Sequence, residues 1–246
     1  MELHIFNKPC LNNPTMIAVW PGMGYLAKTS GDYLRKRLNA TLFAEIRCFQ
    51  NSIIYRDSVV ELPYVSHRFY SAPKHDLIIC VGDSQPSIPE EGYRLAKLII
   101  KLAERFNVKR IYTLAAYPSE YHDEPQVYGV ISNDSLKKTL LDHNIHLIEG
   151  EGAVNGLNGV LIGVAKKRGI EGICLMAEIK YANVPQHLSS KAVLEKLTSI
   201  LGIEIDTSFL EKRARKVEDS ILRQLKLNNE LDYEDSKSDN KFRYIC

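Results

Sequence analysis

Residues 149–169 of the chain read EGEGAVNGLNGVLIGVAKKRG, and this stretch decides the fold. An apolar run at residues 146–148 precedes it and another at residues 171–177 follows it, so both runs are predicted strands. The residues between them predict a turn and then a helix of small side chains. The sequence therefore predicts a strand–helix–strand unit. Its close-packing residues are Gly156, Gly159 and Gly163, whose spacing favours a close approach of one helix face to the sheet or to a neighbouring subunit.

The glycine-rich turn before this helix also suggests a phosphate-binding loop, because such turns present free N–H groups to anions. The spacing favours close packing instead. A dinucleotide fingerprint that starts at Gly150 needs its third glycine where Asn155 stands, and no Gly-Lys-Ser/Thr sequence follows. Glu149 and Glu151 flank the turn, and each would repel a phosphate at about 5 Å by roughly 1 kcal/mol in water. We therefore expect no nucleotide cofactor.

Composition sets the class of protein. The 246 residues are 45% hydrophobic and 25% charged, which is ordinary for a globular chain. The net charge of +2, with both signs mixed along the chain, argues against nucleic acid as a partner. Five cysteines without a C-x-x-C pair are typical of reduced thiols rather than of disulfides or a zinc site. No signal-like segment and no apolar run near the ~20 residues of a membrane helix occurs, so we expect a cytoplasmic protein.

Strand and helix patterns alternate along most of the chain. Continuous apolar runs at residues 16–20 and 76–81 predict buried strands. Helical spacing follows them at residues 25–38 and 90–106. Residues 53–70 alternate apolar and polar side chains, which indicates an edge hairpin or paired strands. This alternation predicts an α/β fold of three layers, with a mostly parallel mixed sheet between two layers of helices.

Three segments are expected along the chain. Residues 1–205 should form the α/β domain. Residues 206–229 predict a charged C-terminal helix with a thin apolar stripe, which is typical of packing on the domain or on a partner. Residues 230–246 predict a flexible polar tail, because residues 234–241 contain no apolar side chain.

Several short blocks of sequence lie next to predicted strands. They are Pro21-Gly22-Met23-Gly24, Tyr70-Ser71-Ala72, Gly82-Asp83-Ser84-Gln85-Pro86, Tyr117-Pro118 and the stretch from Glu149 to Gly159. Together they resemble the PAC2 family of proteasome assembly chaperones, and the resemblance spans roughly residues 15 to 220. The residues that it marks in the motif loops are Gly22, Gly24, Gly82, Asp83, Gln85, Pro86, Tyr117, Pro118, Glu149, Glu151 and Asn158.

The resemblance implies a fold akin to that of nucleoside phosphorylases and peptidyl hydrolases. It also implies self-association into trimers or tetramers and contact with α-subunits of the 20S proteasome. No phosphate-clamping lysine and no metal-binding set of carboxylates is recognisable in the sequence. We therefore predict a binding protein that acts without ATP and has no catalytic residue, metal or cofactor.

The end of the chain is a candidate partner-binding segment. Family chaperones often end in a hydrophobic–Tyr–any tripeptide that enters pockets between α-subunits. The resemblance implies this role for Phe242, Tyr244, Ile245 and Cys246, although Tyr244 stands one position earlier than the motif requires. Apolar side chains directly after a polar tether favour docking on a partner.

Two alternatives stay open. A hydrolase or phosphorylase-like enzyme would use polar side chains of the strand-end loops, namely Asp83, Ser84, Tyr117, Glu120, His122, Asp123, Glu149 and Glu151. No nucleophile elbow, H-E-x-x-H motif or cysteine–histidine pair supports that hypothesis. A sensor of a small ligand or nucleotide would need a preformed pocket near Gly82 or Gly152.

Overall fold

A computed structural model describes residues 1–121, 123–221 and 223 of the chain. In chain order its strands are β1 (Glu2–Ile5), β2 (Thr15–Val19), β3 (Thr41–Phe49), β4 (Ile54–Arg56), β5 (Val59–Glu61), β6 (Tyr64–Ala72), β7 (Leu77–Gly82), β8 (Arg110–Pro118), β9 (Val127–Ile131), β10 (His146–Leu147) and β11 (Glu171–Ile179). Its α-helices are α1 (Leu26–Arg37), α2 (Pro89–Arg105), α3 (Lys137–Leu141), α4 (Leu157–Lys167) and α5 (His187–Leu201). Residues 208–221 are also helical. The predicted α/β class is confirmed.

The main sheet is mixed, with a parallel centre and antiparallel flanks. Its strand order is β1-β3-β6-β7-β2-β8-β11-β9-β10. The central strands β7, β2, β8 and β11 run parallel to one another. On one side β6, β3 and β1 pair antiparallel, and on the other side β9 pairs antiparallel with β11. The carboxyl ends of the four central strands therefore lie along one edge, where sites of such sheets commonly form.

Both faces of the central strands are buried, which divides the core into two clusters. Along β2, Met16 and Ala18 belong to the cluster that includes residues of α2 and α4. Ile17 and Val19 belong to the cluster that includes residues of α1 and α5. Because successive side chains of a strand point to opposite faces, a continuous apolar run is what a sheet covered on both sides requires. The predicted three-layer arrangement is confirmed.

The prediction that the strands on either side of residues 149–169 form one βαβ unit, with the two strands as parallel neighbours, is wrong. β10 pairs in parallel with β9 at the edge of the sheet, and β9 pairs antiparallel with β11. β10 and β11 are therefore antiparallel and are not neighbours, and the parallel neighbour of β11 is β8. Spacing along the chain indicates that two strands flank a helix. It does not indicate that another strand, β9, lies between those two strands in the sheet.

A two-stranded arm extends the β3–β6 pair beyond the main sheet. We define the arm as residues 49–64. The backbone N–H of Gln50 donates to the carbonyl oxygen of Pro63 at 3.0 Å, and β4 and β5 then pair with each other in a separate two-stranded sheet. Asp57 and Ser58 form its turn with φ values of 48° and 67°, as a two-residue type I′ turn requires. The hairpin predicted within residues 53–70 is confirmed.

The helix at residues 208–221 begins against α1. Leu210 is buried in the core cluster that includes residues of α1 and α5. The ring of Phe209 stacks on the ring of Tyr33, with centroids 6.4 Å apart, and the Tyr33 hydroxyl donates to the carbonyl oxygen of Asp206 at 2.6 Å.

Among the described residues, no helix is both long enough and apolar enough to cross a membrane.

Candidate functional site

Loops from four parallel strands meet at one edge of the sheet. β2 ends at Val19, β7 at Gly82, β8 at Pro118 and β11 at Ile179. The motif residues after β2 and β7, and those at the end of β8, therefore come together, as the parallel order of the strands requires. The helix α4 begins at Leu157 beside the loop that follows β7. The candidate site is this end of the sheet, where the carboxyl ends of the four strands lie, and we call it the candidate edge.

Gln85 links three of the segments at this edge. Its Nε2 donates to the carbonyl oxygen of Pro21 at 2.6 Å, and its Oε1 accepts from the backbone N–H of Leu157 at 2.7 Å. The first bond holds the loop after β2, and the second satisfies one of the free N–H groups at the start of α4. Gly156 has a φ of +73°, and a Cβ atom on it would overlap the Gln85 amide oxygen. Both ends of the Gln85 amide are thus used inside the chain.

Asn158 makes a second link between α4 and β2. Its side chain is buried, and its Oδ1 accepts from the backbone N–H of Trp20 at 3.2 Å. Trp20 directly follows β2 and is fully buried, so its N–H group has no access to bulk water and needs a partner. The asparagine marked by the resemblance therefore positions the loop after β2.

The Trp20 indole lies against Gly82 and donates a hydrogen bond to His67. The distance from Trp20 Nε1 to His67 Nδ1 is 3.0 Å, and both side chains are buried. Because an indole N–H only donates, Nδ1 is the acceptor and the ring proton lies on Nε2. A Cβ atom on Gly82 would overlap the indole ring. Burial lowers the pKa of His67 from 6.5 to about 4, so the ring is neutral at pH 7.

Gly24 joins the loop after β2 to the loop after β11. Its N–H donates to the carbonyl oxygen of Ala182 at 2.6 Å, and its own carbonyl oxygen accepts from the N–H of Gln186 at 2.8 Å. Its φ of +62° lies in the left-handed region, and a Cβ atom would come within 2.6 Å of the Gln186 side chain. This position therefore requires glycine for both its conformation and its space. Gly22, in contrast, is extended and has room for a side chain.

Asp83 belongs to a network of ion pairs. One carboxylate oxygen lies 3.3 Å from Lys28 Nζ, and the other lies 3.1 Å from an Arg68 guanidinium nitrogen. Arg68 also faces the buried carboxylate of Glu45 at 3.6 Å, and Lys28 donates to the carbonyl oxygen of Gly82 at 3.2 Å. Both carboxylate oxygens of Asp83 are thus paired with cations of the chain itself. This favours a structural role for Asp83 over a catalytic one.

Glu178 is a buried carboxylate at this edge that the sequence analysis missed. It accepts hydrogen bonds from the Ser119 hydroxyl at 2.8 Å and from the backbone N–H of Gln126 at 2.9 Å. The Tyr128 hydroxyl lies 3.4 Å from it, and the rings of Tyr128 and Tyr117 are 4.9 Å apart. These donors satisfy a carboxylate that would otherwise be costly to bury. A single charged residue inside an apolar strand is the signal that could have revealed it.

The acidic turn before α4 faces solvent. Glu149 and Glu151 are exposed, as are the candidate acids Glu120 and Asp123. His122 lies outside the described residues. Within the part of the chain that the structure describes, no three His, Cys, Asp or Glu side chains gather into a possible metal site. These acids therefore form no evident catalytic or metal-binding group.

The three glycines predicted to form one close-packing face differ in their surroundings. A Cβ atom on Gly159 would overlap the carbonyl oxygen of Val154, which belongs to the preceding loop and not to the sheet. Gly156 packs on Gln85, whereas no atom lies within 4 Å of a Cβ on the exposed Gly163. The expected contact with the sheet is therefore absent at Gly159 and Gly163, because a nearby loop fills the first position and solvent fills the second. A contact with a neighbouring subunit stays a prediction.

Gly159→Ala and Gly163→Ala should have opposite effects on stability, although they are the same change in the same helix. The new methyl group at Gly159 forces the Val154 backbone to move, which costs roughly 1–3 kcal/mol. The higher helix propensity of alanine, worth about 1 kcal/mol, partly offsets this loss. At Gly163 only the gain of about 1 kcal/mol remains. Urea denaturation measures both changes, and equal changes in the two variants would contradict the geometry. Loss of an oligomer in Gly163→Ala alone would support contact with a neighbouring subunit.

Two surface grooves lie between helices, away from the predicted site residues. A groove of about 550 Å³ includes Tyr33 of α1, His187 of α5 and Arg213. A second, of about 340 Å³, lies between α2 and α4 and includes Lys97 and Val164. Neither groove includes Gly82 or Gly152, next to which a ligand sensor was expected to have its pocket.

The predicted partner-binding residues of the tail cannot be placed at this edge. Phe242, Tyr244, Ile245 and Cys246 lie outside the described residues, as does the rest of the predicted tail. Their role stays a prediction.

Comparisons with known proteins connect this geometry to a family. The PAC2 family model matches residues 16–225. The structure of Pyrococcus furiosus PbaB, an archaeal proteasome activator, has 30% sequence identity and a TM-score of 0.79, and the match covers 92% of this chain and 98% of PbaB. Pyrococcus furiosus PbaA, an archaeal homolog of proteasome-assembly chaperone, has 20% identity and a TM-score of 0.75, with 98% and 99% covered. At that identity PbaA shows the fold alone.

A curated relative covers nearly as much of the chain. The uncharacterized protein MJ1210 of Methanocaldococcus jannaschii is 30% identical over 227 residues, which are 90% of this chain and 86% of that protein. The match to the family model extends from β2 to beyond residue 221 and so includes every motif loop at the candidate edge. Together the family model and these relatives show that the chain belongs to the PAC2 family.

Proposed function

We propose that this protein binds α-subunits of the 20S proteasome without ATP, as an assembly factor or a regulator of the gate, and that it does so in the cytoplasm as a homo-oligomer. The observation that carries the proposal is the similarity to PbaB, an archaeal proteasome activator, at 30% identity over 92% of this chain. Similarity of this extent covers most of the chain and not a single motif. A proteasome-related role is therefore the function that best fits the chain.

The candidate edge supports a binding role more than an enzymatic one. Its polar side chains are engaged in holding loops: Gln85 bridges the loop after β2 and α4, and Asn158 bonds to Trp20. Glu178 is satisfied by Ser119 and a backbone N–H group. A catalytic centre would instead direct polar groups toward a place that a substrate can enter. A hydrolase or phosphorylase-like activity on this fold is the weaker alternative.

The chemistry of the glycine-rich turn supports independence from ATP. The turn lacks the glycine spacing of a dinucleotide site and the lysine of a P-loop. Its exposed carboxylates, Glu149 and Glu151, would repel a phosphate group. The turn thus offers anions no charge complementarity.

Removal of residues 242–246 should weaken binding to 20S particles by about tenfold or more and leave the oligomer unchanged. Phe242, Tyr244 and Ile245 would fill apolar pockets of the α-ring, and losing such anchors typically costs more than 1 kcal/mol each. The polar segment before them, residues 234–241, has a root-mean-square reach of roughly 15 Å if it is a random coil. Several tails of one oligomer could then engage separate pockets and gain avidity. Surface plasmon resonance with immobilised 20S particles, with and without MgATP, measures the affinity.

The matched control keeps the length of the chain and replaces residues 242–246 by glycine and serine. It should bind as weakly as the truncated chain, and MgATP should change neither affinity. Equal affinity of the full-length and truncated chains would show that the tail is passive, while the proposed function would stand. Absence of binding by the full-length chain to both free α-subunits and 20S particles would overturn the function itself.

A further inference from the structure

The groove between α2 and α4, which we call the basic groove, carries positive charge without a matching negative charge. Four of the seven side chains that line it are cationic and none is acidic. Arg168 is already paired, because its guanidinium donates to the Glu104 carboxylate at 2.9 and 3.3 Å. Within the described part of the chain, the ammonium groups of Lys97, Lys101 and Lys167 have no carboxylate within 4.0 Å. The basic groove therefore favours an anionic partner.

The bottom of the basic groove is apolar. Ile100 of α2 and Val164 of α4 line it and are only 1% and 5% exposed, so they lie beneath the lysines. Tyr93 also lines the groove, and Lys97 Nζ lies 4.4 Å from the centroid of its ring. A small anion would use the lysines and leave this apolar surface uncovered. A peptide that carries both carboxylates and apolar side chains would use both parts of the groove.

The spacing of the lysines suits an extended peptide. Lys97 and Lys101 stand one turn apart on α2, about 6 Å along the helix axis. Alternate residues of an extended chain are separated by nearly the same distance, roughly 6.6 Å. Carboxylates at every second position of a peptide would therefore face successive lysines, and the residues between them would face the apolar bottom.

One segment of the chain has this pattern. Residues 230–235 read Glu-Leu-Asp-Tyr-Glu-Asp, and no other run of six residues in the sequence has four carboxylates. Its acidic positions 230, 232 and 234 alternate with Leu231 and Tyr233, and it contains no cation. The segment lies outside the described residues. Its charge and its apolar side chains complement those of the basic groove.

The larger groove, beside α1 and α5, matches this segment less well. Asp32 lines it and adds a negative charge. Its cation Arg37 already lies 3.6 Å from the Asp206 carboxylate, and its cation Arg213 lies over the ring of Phe209 at 5.1 Å. The charge of that groove is therefore mixed and largely used within the chain.

The basic groove of the same copy lies too far from the segment. The helix at residues 208–221 packs on α1 and α5, where Glu211 lies 3.8 Å from Lys191, and the groove lies on the opposite face of the sheet. Three layer spacings of about 10 Å each put the groove roughly 30 Å from this helix in a straight line. From Arg223, the last described residue, seven residues lead to Glu230 and span at most about 25 Å. A neighbouring copy is not subject to this limit.

We propose that residues 230–235 of one copy bind in the basic groove of a neighbouring copy. The carboxylates pair with the three lysines, and Leu231 and Tyr233 cover the apolar bottom. The inference rests on the homo-oligomer included in the proposed function and names one contact between its copies. Residues 242–246 follow the bound segment and stay available to the α-ring. The contact joins two different surfaces, so it closes either a ring of copies or a reciprocal dimer.

Cross-linking of the full-length wild-type chain with a carbodiimide tests this contact. The reagent joins a lysine to a carboxylate that touches it, and a denaturing gel separates linked pairs of chains from single chains. Mass spectrometry of the linked pairs should find Lys97, Lys101 or Lys167 joined to residues 230–235, and the same link should be absent from the single chains. About 0.5 M NaCl should lower the yield about fivefold or more, because salt screens exposed ion pairs.

Lys101→Glu with Lys167→Glu reverses the charge on both sides of the groove, and Arg94→Glu with Lys166→Glu is the matched control. All four side chains are exposed, each pair has one member in α2 and one in α4, and only the first pair lines the groove. The link through Lys97 should fall about fivefold or more in the groove variant and stay at the wild-type yield in the control. Circular dichroism should show that both variants are folded.

A charge swap completes the test. Adding Glu230→Lys and Asp232→Lys to the groove variant should restore the link through Lys97, because opposite charges then face each other again. A wild-type yield in the groove variant, an equal loss in the control or no recovery after the swap would each overturn the proposal. A link found only in single chains, or groove lysines joined only to peptides outside residues 230–235, would overturn it too. The wild-type links decide alone if the groove variant does not fold.

Surface plasmon resonance with 20S particles separates this inference from the proposed function. If the wild-type chain forms the link between copies and binds no proteasome particle, the contact stands and the proposed function fails. If it binds the particle and forms no such link, the contact is refuted and the proposed function stands. Loss of particle binding in the groove variant, without a link between wild-type copies, would show that the basic groove contacts the proteasome instead.

Discussion

Gly82→Ala is expected to lower the free energy of unfolding by about 3 kcal/mol, because the added methyl group would overlap the Trp20 ring. The new carbon would also come within 2.6 Å of His67 Nδ1. Gly82 is the last residue of β7 in the centre of the sheet, so the strand itself has little freedom to move away. For a chain of this length the loss corresponds to a fall in melting temperature of roughly 6–12 °C.

Relief of this overlap is difficult because Trp20 is held at two points. Its backbone N–H donates to Asn158, and its indole N–H donates to His67. Moving the ring breaks at least the second bond and leaves buried polar groups without partners, which costs about 1–3 kcal/mol for each group. This is why the expected loss lies at the upper end of what a small added group usually causes.

Gly92→Ala is the matched control for this prediction. Gly92 lies in α2 and has no atom within 4 Å of a would-be Cβ, so alanine there should stabilise the helix by about 1 kcal/mol. The chain has one tryptophan, and its fluorescence therefore reports on the Gly82 site directly. We expect red-shifted emission for Gly82→Ala and unchanged emission for Gly92→Ala. A melting temperature of Gly82→Ala within a degree or so of wild type would contradict the packing argument.

The layers of the fold could be predicted from the sequence because their cause is local. A run such as Met16 to Val19, apolar at every position, fits a strand only if both faces of the sheet are covered. The order of the strands has no such local cause. The insertion of β9 between β11 and β10 depends on pairing between segments far apart in the chain, and it overturned the predicted strand–helix–strand unit.

The candidate site was predictable in its location and not in its contacts. Parallel strands bring their carboxyl ends together whatever the loops contain, so the motif residues had to meet. Their partners are distant in sequence: Gln85 bonds to Leu157, and Trp20 bonds to Asn158 and His67. The glycine pattern of α4 can be read from the sequence, but only the folded structure places the Val154 carbonyl group at Gly159 and leaves Gly163 facing solvent.

Acid is expected to weaken the fold through His67, by about 2 kcal/mol between pH 7 and pH 5. Burial is the main cause of its lowered pKa of about 4, and the charges of Lys28 and Arg68 lower it further, while Asp83 acts in the opposite direction. Protonation would also place a hydrogen on Nδ1, the atom that accepts from the Trp20 indole. The charged ring would thus lose its hydrogen bond inside the core.

The direction in which stability changes with pH follows from which state, folded or unfolded, binds the proton at the higher pH. The unfolded chain takes up the proton near pH 6.5 and the folded chain only near pH 4, so between these values the unfolded state binds more protons. Stability must then fall as the pH is lowered through this window. The full loss, reached only below pH 4, is about 3 to 4 kcal/mol, since the pKa falls from 6.5 to about 4 and each unit of pKa difference is worth about 1.4 kcal/mol.

His67→Gln separates this effect from the titration of carboxylates. Glutamine has an oxygen that can accept from the indole N–H, and it does not titrate. The variant should be somewhat less stable than wild type at pH 7, but it should lose about 2 kcal/mol less than wild type between pH 7 and pH 5. Urea denaturation of both proteins at each pH gives the difference, from which the carboxylates cancel because they are common to both. Parallel losses in the two proteins would show that His67 takes up its proton without penalty, and that burial does not keep this ring neutral.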